Sequence, residues 1–182
     1  MVPIQIIEGC KRKEQDSFRD CYHICAPYVY SIVKQYVSDQ SWRKDAMQET
    51  FAQIFFSIDN YNSKLGQFKS WISTIAVRQS INVLRKNNYL KDIQPITDDN
   101  NYSESIIPKL NELSYNAFQS LIFEMPIGYK TIVLLYYIEG YTHNEISSIL
   151  DISVNTSKSQ LNRGLVWLNK NVGHKLKEYI HG

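Results

Sequence analysis

Apolar residues recur at helical spacing along nearly every long segment of this chain. That period constrains the fold more than any other feature. Within residues 15–38, Val29, Ile32, Val33, Tyr36 and Val37 fall at i, i+3, i+4, i+7 and i+8, one continuous stripe. Pro27 is expected to bend or delimit this helix. A second helix is predicted over 42–58, with Met47, Phe51, Ile54, Phe55 and Ile58 as its buried face. A third, over 68–87, turns Ile72, Ile75, Ala76 and Val83 inward. Segment 113–125 reads as a helix that stops before Pro126, and 127–140 as a very apolar one that ends at Gly140, a C′ residue. Only 7 Gly and 5 Pro are present, too few for an all-β chain full of tight turns. The expected fold class is all-α, and 182 residues suit one large domain or two small ones.

Composition shifts along the chain favour two domains. Residues 1–86 carry 12 Lys/Arg against 8 Asp/Glu, 87–112 carry 2 against 5, and 113–182 carry 6 against 5. A basic first half suits a polyanionic partner without proving one. The acidic stretch NNYLKDIQPITDDNNYSESIIPKL (87–110) breaks every period and reads as a flexible linker. The expected organisation is a helical domain over 1–88, a linker over 89–110 and a second helical domain over 111–182.

Other classes are disfavoured. The longest apolar run, IVLLYYI (132–138), is too short to span a bilayer. The N-terminus MVPIQIIEGC lacks the basic and long apolar regions of a signal peptide, so the cytoplasm is the expected compartment. Cys10, Cys21 and Cys25 are too few and too odd in number for a secreted disulfide scaffold. Cys21 and Cys25 lie one helical turn apart, but no further Cys/His pair completes a metal site. No phosphate-cradling Gly loop or catalytic triad is legible, so no enzyme activity, cofactor or small-molecule substrate is expected.

Three stretches carry chemistry. On the 42–58 helix, Asp45, Gln48, Glu49 and Ala52 share a compact face, which could be simply solvated. The loop NYNSKLGQ (60–67) precedes a helix whose outer face holds Ser70, Ser73, Thr74, Arg78, Asn82 and Arg85, with Phe68 and Trp71 at its start. Aromatics beside a polar loop and a basic helix could stack and hold single-stranded nucleic acid; equally, Phe68 and Trp71 could be core. The third stretch is YTHNEISSILDISVNTSKSQLNRG (141–164). Thr142 with Glu145 forms a capping box, Ile146, Ile149 and Leu150 face inward, and Asp151–Ser153 turn the chain. Ser153 can cap a second helix, whose Leu161, Leu165, Leu168 and Val172 face inward. Its other sides present Asn155, Thr156, Lys158, Ser159, Asn162 and Arg163, the types that read base edges and phosphates. The pair is a helix-turn-helix or an ordinary αα-hairpin. Gly164 inside a helix costs about 1 kcal/mol against Ala and calls for close packing or a bend.

Two separated motifs resemble one family. DAMQETFAQIF (45–55), YNSKLGQFKSWISTIA (61–76) and INVLRK (81–86) resemble region 2 of bacterial sigma factors of the extracytoplasmic-function group. MPIGYKTIVLLYYIEGYTHNEISSILDISVNTSKSQLNRG (125–164) is similar to region 4 of the same group. The resemblance implies a region 2 helical bundle and a region 4 helix-turn-helix joined by a flexible linker, in a factor that directs promoter recognition, melting and transcription initiation. It implies that Asp45, Gln48, Glu49 and Ala52 dock on the β′ clamp helices of core RNA polymerase, with the β flap as a further contact. For the minus-ten strand it implies Asn62, Ser63, Lys64, Phe68, Lys69, Trp71, Thr74, Arg78, Asn82, Arg85 and Lys86. For the minus-thirty-five duplex it implies Thr142, Asn155, Thr156, Lys158, Ser159, Asn162 and Arg163. The chain departs from the family pattern at Ser73, Thr74, Arg78 and Gly164. The resemblance also implies promoter DNA as partner and an anti-sigma protein, often membrane-anchored. The alternative is a stand-alone helix-turn-helix regulator that needs no polymerase partnership.

Overall fold

The computed structural model describes residues 2–88, Leu90, Ile93 and 115–181. The expected linker therefore lies almost wholly outside the described residues. Eight α-helices and no strand occur among the described residues, which is the all-α fold that the apolar period predicts. The chain forms two compact units, Met1–Asn87 and Asn88–Gly182.

The first unit holds α1 (Ile4–Lys11), α2 (Gln15–Tyr36), α3 (Gln40–Ser57), a 3₁₀ turn (Ile58–Asn60) and α4 (Phe68–Lys86). The stripe read on α2 is buried throughout, from Val29 to Val37. Pro27 does not delimit the helix, which runs on past it. Pro27 is exposed, so water can serve the carbonyl that loses its N–H partner, and the buried stripe holds both flanks in one helix. Asp39 caps α3 by accepting from the backbone N–H groups of Ser41 at 2.8 Å and Trp42 at 3.0 Å. Bonds from the Ser41 hydroxyl and the Trp42 amide hold its carboxyl below the usual range.

Packing corrects some assignments. On α3, Phe51, Ile54 and Ile58 are buried as expected, but Met47 and Phe55 are only half-buried. Ala46 and Thr50 share the core instead. Thr50 and Ser80 enter it because each hydroxyl donates to the carbonyl one turn back, Ala46 O at 2.6 Å and Ala76 O at 2.8 Å. Ile75 on α4 is half-buried rather than core. Helix α1 escaped the sequence reading. It buries Ile7 and Cys10, and the Cys10 thiol donates to Ser17 O at 3.3 Å. All three cysteines are free and buried. A bond to Cys25 and burial push the Cys21 thiol far up, so it stays protonated and inert.

The second unit holds α5 (Tyr115–Glu124), α6 (Ile127–Val133), α7 (His143–Leu150) and α8 (Val154–His181). The predicted 127–140 helix divides: α6 gives way to a π turn over Leu134–Ile138, where Glu139 N–H donates to Leu134 O at 3.0 Å. Gly140 closes it at φ +76°, the left-handed C′ conformation expected there. Leu121, Ile132, Leu135, Ile146, Leu168 and Val172 are among the residues that fill the core.

Gly164 is explained by α6. A β-carbon there would stand 2.8 Å from Val133 Cγ2 and 3.4 Å from Tyr129 Cβ. Helix α8 thus approaches α6 closely enough that only hydrogen fits, and the glycine serves packing rather than a bend.

Candidate nucleic-acid interface

In the first unit, Tyr61, Phe68 and Trp71 form an aromatic cluster. Tyr61 meets Phe68 edge-on at 5.0 Å, and Phe68 stacks on Trp71 at 5.5 Å and 29°. Phe68 is only 7% exposed. Of the two readings, it is therefore core, and it stiffens the loop from below instead of offering its face to a base. Trp71 is only half-buried.

The loop is tied at both ends. Tyr61 OH donates to Gly66 O at 3.2 Å, and Lys64 N–H donates to Asn62 Oδ1 at 3.0 Å, an Asx turn. Asn62, Ser63, Lys64 and Leu65 stand exposed above it. Beneath lies a cleft of about 1000 Å³, whose walls are Ile4, Ile7, Ile24 and Tyr28 on one side and residues 63–69 on the other. Lys69 Nζ sits 4.5 Å over the Tyr28 ring. Along α4, Arg78, Arg85 and Lys86 are exposed, and Thr74 and Asn82 half-buried. Thr74 returns its hydroxyl to Ser70 O at 3.1 Å, and Asn82 Nδ2 donates to Gln79 Oε1 at 3.2 Å.

The exposed face of α3 is continuous. Asp45, Gln48, Glu49 and Ala52 are all exposed. Phe56 extends the stripe: it lies one turn beyond Ala52 and is 83% exposed. The signal was present in the sequence, since 49, 52 and 56 share helical spacing, but an aromatic is usually assigned to a core. Glu49 pairs with Lys86 of α4 at 3.5 Å, so residues expected to serve different partners meet there.

In the second unit the helix-turn-helix is built as its sequence implies. Thr142 N–H donates to Glu145 Oε2 at 2.8 Å, and Glu145 N–H donates to Thr142 Oγ1 at 3.3 Å, the capping box of α7. These bonds hold the Glu145 carboxyl below its usual range. Asp151 takes the turn at φ +57°. Ser153 Oγ accepts from Thr156 N–H at 2.9 Å and caps α8.

Helix α8 has two clean sides. Asn155 and Lys158 are exposed, and Ser159, Asn162 and Arg163 half-exposed, all on one stripe. Ser157, Gln160, Leu161, Gly164 and Leu168 face the core. Thr156 belongs with them: it is 5% exposed, with Oγ1 2.8 Å from Ser153 Oγ. Its expected place on the reading surface is corrected; it braces the turn. Thr142 is exposed, yet its hydroxyl is committed to Glu145 Oε2 at 2.8 Å. His143 was also missed. Its Nδ1 lies 2.9 Å from Ser157 Oγ, and its ring stacks on Tyr136 at 4.8 Å and 26°.

Two capped helices around a left-handed turn, with a polar stripe on the second, define a DNA-binding protein of the helix-turn-helix class. Comparison with known families makes the assignment narrower. Residues 21–89 match the family described as Sigma-70 region 2, and 115–168 match Sigma-70, region 4. The chain is 29% identical over 177 residues to the ECF RNA polymerase sigma factor SigW of Bacillus subtilis (strain 168), covering 90% of this chain and 93% of that protein. It is 28% identical over 136 residues to the RNA polymerase sigma factor SigV of the same organism, covering 75% and 79%. Among solved structures it is similar to the sigma factor RpoE from Bartonella quintana, solved in complex with the anti-sigma factor NepR: TM-score 0.49, 14% identity, 86% of this chain and 96% of that one. The chain belongs to the sigma-70 family, in its extracytoplasmic-function group. Members of this family are transcription initiation factors rather than enzymes in themselves.

Proposed function

We infer that this chain is an alternative sigma factor, which joins core RNA polymerase in the cytoplasm and directs it to a promoter. The observation that carries the reading is the presence, in one chain and in this order, of a region 2 match and a region 4 match whose second helix bears a polar stripe. The exposed face of α3, from Asp45 through Glu49 to Phe56, is the proposed dock for the β′ clamp helices. The β flap is proposed as the second polymerase contact. The loop around Asn62, Ser63 and Lys64, with Lys69, Trp71, Thr74, Arg78, Asn82, Arg85 and Lys86, is proposed to hold the minus-ten strand. Extruding a base costs a few kcal/mol, and stacking returns about 1–3 kcal/mol per base, so the half-buried Trp71 and the cleft are proposed to supply the compensation. Asn155, Lys158, Ser159, Asn162 and Arg163 are proposed to read the minus-thirty-five duplex.

Modest net charge is consistent with this role, because the polymerase itself contributes DNA affinity. An anti-sigma protein is proposed as regulator. No helix among the described residues is long and apolar enough to cross a membrane. The reading is tested by binding of purified chain to core polymerase. Wild type forms a stable holoenzyme, and the double substitution Gln48→Ala with Glu49→Ala weakens it at least tenfold. A chain that ignores core polymerase while binding operator DNA would instead be a stand-alone regulator.

A further inference from the structure

A polar contact between the two helices of the helix-turn-helix involves a residue with no assigned role. His143 is the first residue of α7, and Ser157 lies in the first turns of α8. Ser157 is fully buried, and its Oγ lies 2.9 Å from His143 Nδ1. A buried hydroxyl needs an acceptor for its proton. Among the described residues no other partner of that hydroxyl occurs, so Ser157 donates and Nδ1 accepts. The imidazole proton is then fixed on Nε2. Stacking on Tyr136 at 4.8 Å fixes the ring plane. Burial, and then Lys158, hold the imidazole below its ordinary value, which keeps it neutral at working pH.

Nε2 has no protein partner among the described residues. Nor is it one of their buried, unpartnered atoms, of which Gln160 Oε1 alone is found. It therefore reaches solvent, carrying a proton, beside Lys158 at the reading face. In a helix-turn-helix the first helix crosses the DNA backbone while the second enters the groove.

We propose that His143 is a DNA-contacting and positioning residue: its Nδ1 clamps α8 through Ser157, and its Nε2–H donates to a backbone phosphate of the minus-thirty-five duplex. The proposal rests on the sigma reading of region 4 and deepens it. The contact carries no base information, so it strengthens binding uniformly across minus-thirty-five sequences. Being neutral, it releases no counterion and leaves the salt dependence unchanged, unlike the contact expected of Lys158.

The test uses holoenzyme assembled from the full chain and core polymerase, with two promoter duplexes that share a minus-ten element. One keeps its minus-thirty-five element and the other has it replaced. Apparent Kd is measured over a range of salt for wild type, His143→Asn, His143→Gln, Asn155→Ala and Lys158→Ala, with thermal melting of each free chain. Asn places a polar atom where Nδ1 lies and removes Nε2; Gln reaches toward the Nε2 position and abandons Ser157. The expected result is that His143→Asn melts as wild type yet loses about tenfold in minus-thirty-five-dependent affinity at unchanged salt slope. His143→Gln melts lower but binds, once folded, more tightly than His143→Asn. Lys158→Ala loses affinity and reduces the salt slope by about one. If both His143 variants bind as wild type while Asn155→Ala and Lys158→Ala are impaired, the phosphate contact is refuted and the sigma reading stands. If all four bind as wild type, region 4 does not read this duplex and the proposal falls with the reading beneath it.

Discussion

Gly164 shows how a residue can look like a defect in one dimension and a requirement in three. Its helix-propensity cost is about 1 kcal/mol, but a β-carbon there would press on Val133 Cγ2 at 2.8 Å. Val133 is branched and buried, so it has little room to yield, and overpacking of this kind costs about 1–3 kcal/mol. Gly164→Ala should therefore lower the stability of the second unit by up to about 2 kcal/mol, despite the better helix former. Combined with Val133→Ala it should cost less than the sum of the single changes, a coupling that chemical denaturation measures directly. The sequence left close packing and a bend both open, because the residue that decides between them, Val133, lies on another helix.

The same limit hid His143, whose partners Tyr136 and Ser157 lie on either side of it in sequence. Its depressed pKa gives a pH prediction. Above its ordinary value of 6.5 the imidazole is neutral in folded and unfolded chains alike, and its contribution to stability is fully present. As pH falls below that value the unfolded chain takes up the proton first, so stability falls toward the depressed folded value. Lys158 on α8 and Tyr136 on the π turn are the groups that face the ring. The decline should be smaller in His143→Asn, and that difference separates His143 from the carboxylates that titrate at lower pH.

At the scale of elements, periodicity carried most of the fold. The stripes of α2, α4 and α8 were readable because each spans several turns. The capping box of α7 was readable because Thr142 and Glu145 are local in sequence. Helix α1 was missed because eight residues hold barely two turns, and Gly9 in its last turn opposes helix. It forms because α2 covers it. Phe56 raises the sharpest question about α3. An aromatic that is 83% exposed on a well-packed helix gains nothing for folding. Phe56→Ala should change stability by less than about 0.5 kcal/mol and weaken core polymerase binding about tenfold. Melting and holoenzyme titration of the one variant separate the two effects, and unchanged polymerase affinity would remove Phe56 from the proposed dock.

At the scale of the whole molecule, the proposed division of labour follows the two units. The chain as a whole is nearly balanced, with 20 Lys/Arg against 18 Asp/Glu. That balance suits a specificity subunit, which adds selectivity to an enzyme that already grips DNA. The fold class was open to the sequence. Which side chains face outward was open only in part: Phe68 and Thr156 turned inward because aromatic stacking and a capping bond hold them there. The central claim is tested most directly by run-off transcription with core polymerase, the full chain and a library of promoter fragments from the source genome. The account predicts initiation at discrete start sites only when the chain is present, abolished by changes to either the minus-ten or the minus-thirty-five element. Initiation that is indifferent to the chain, or altered without its joining polymerase, would contradict it.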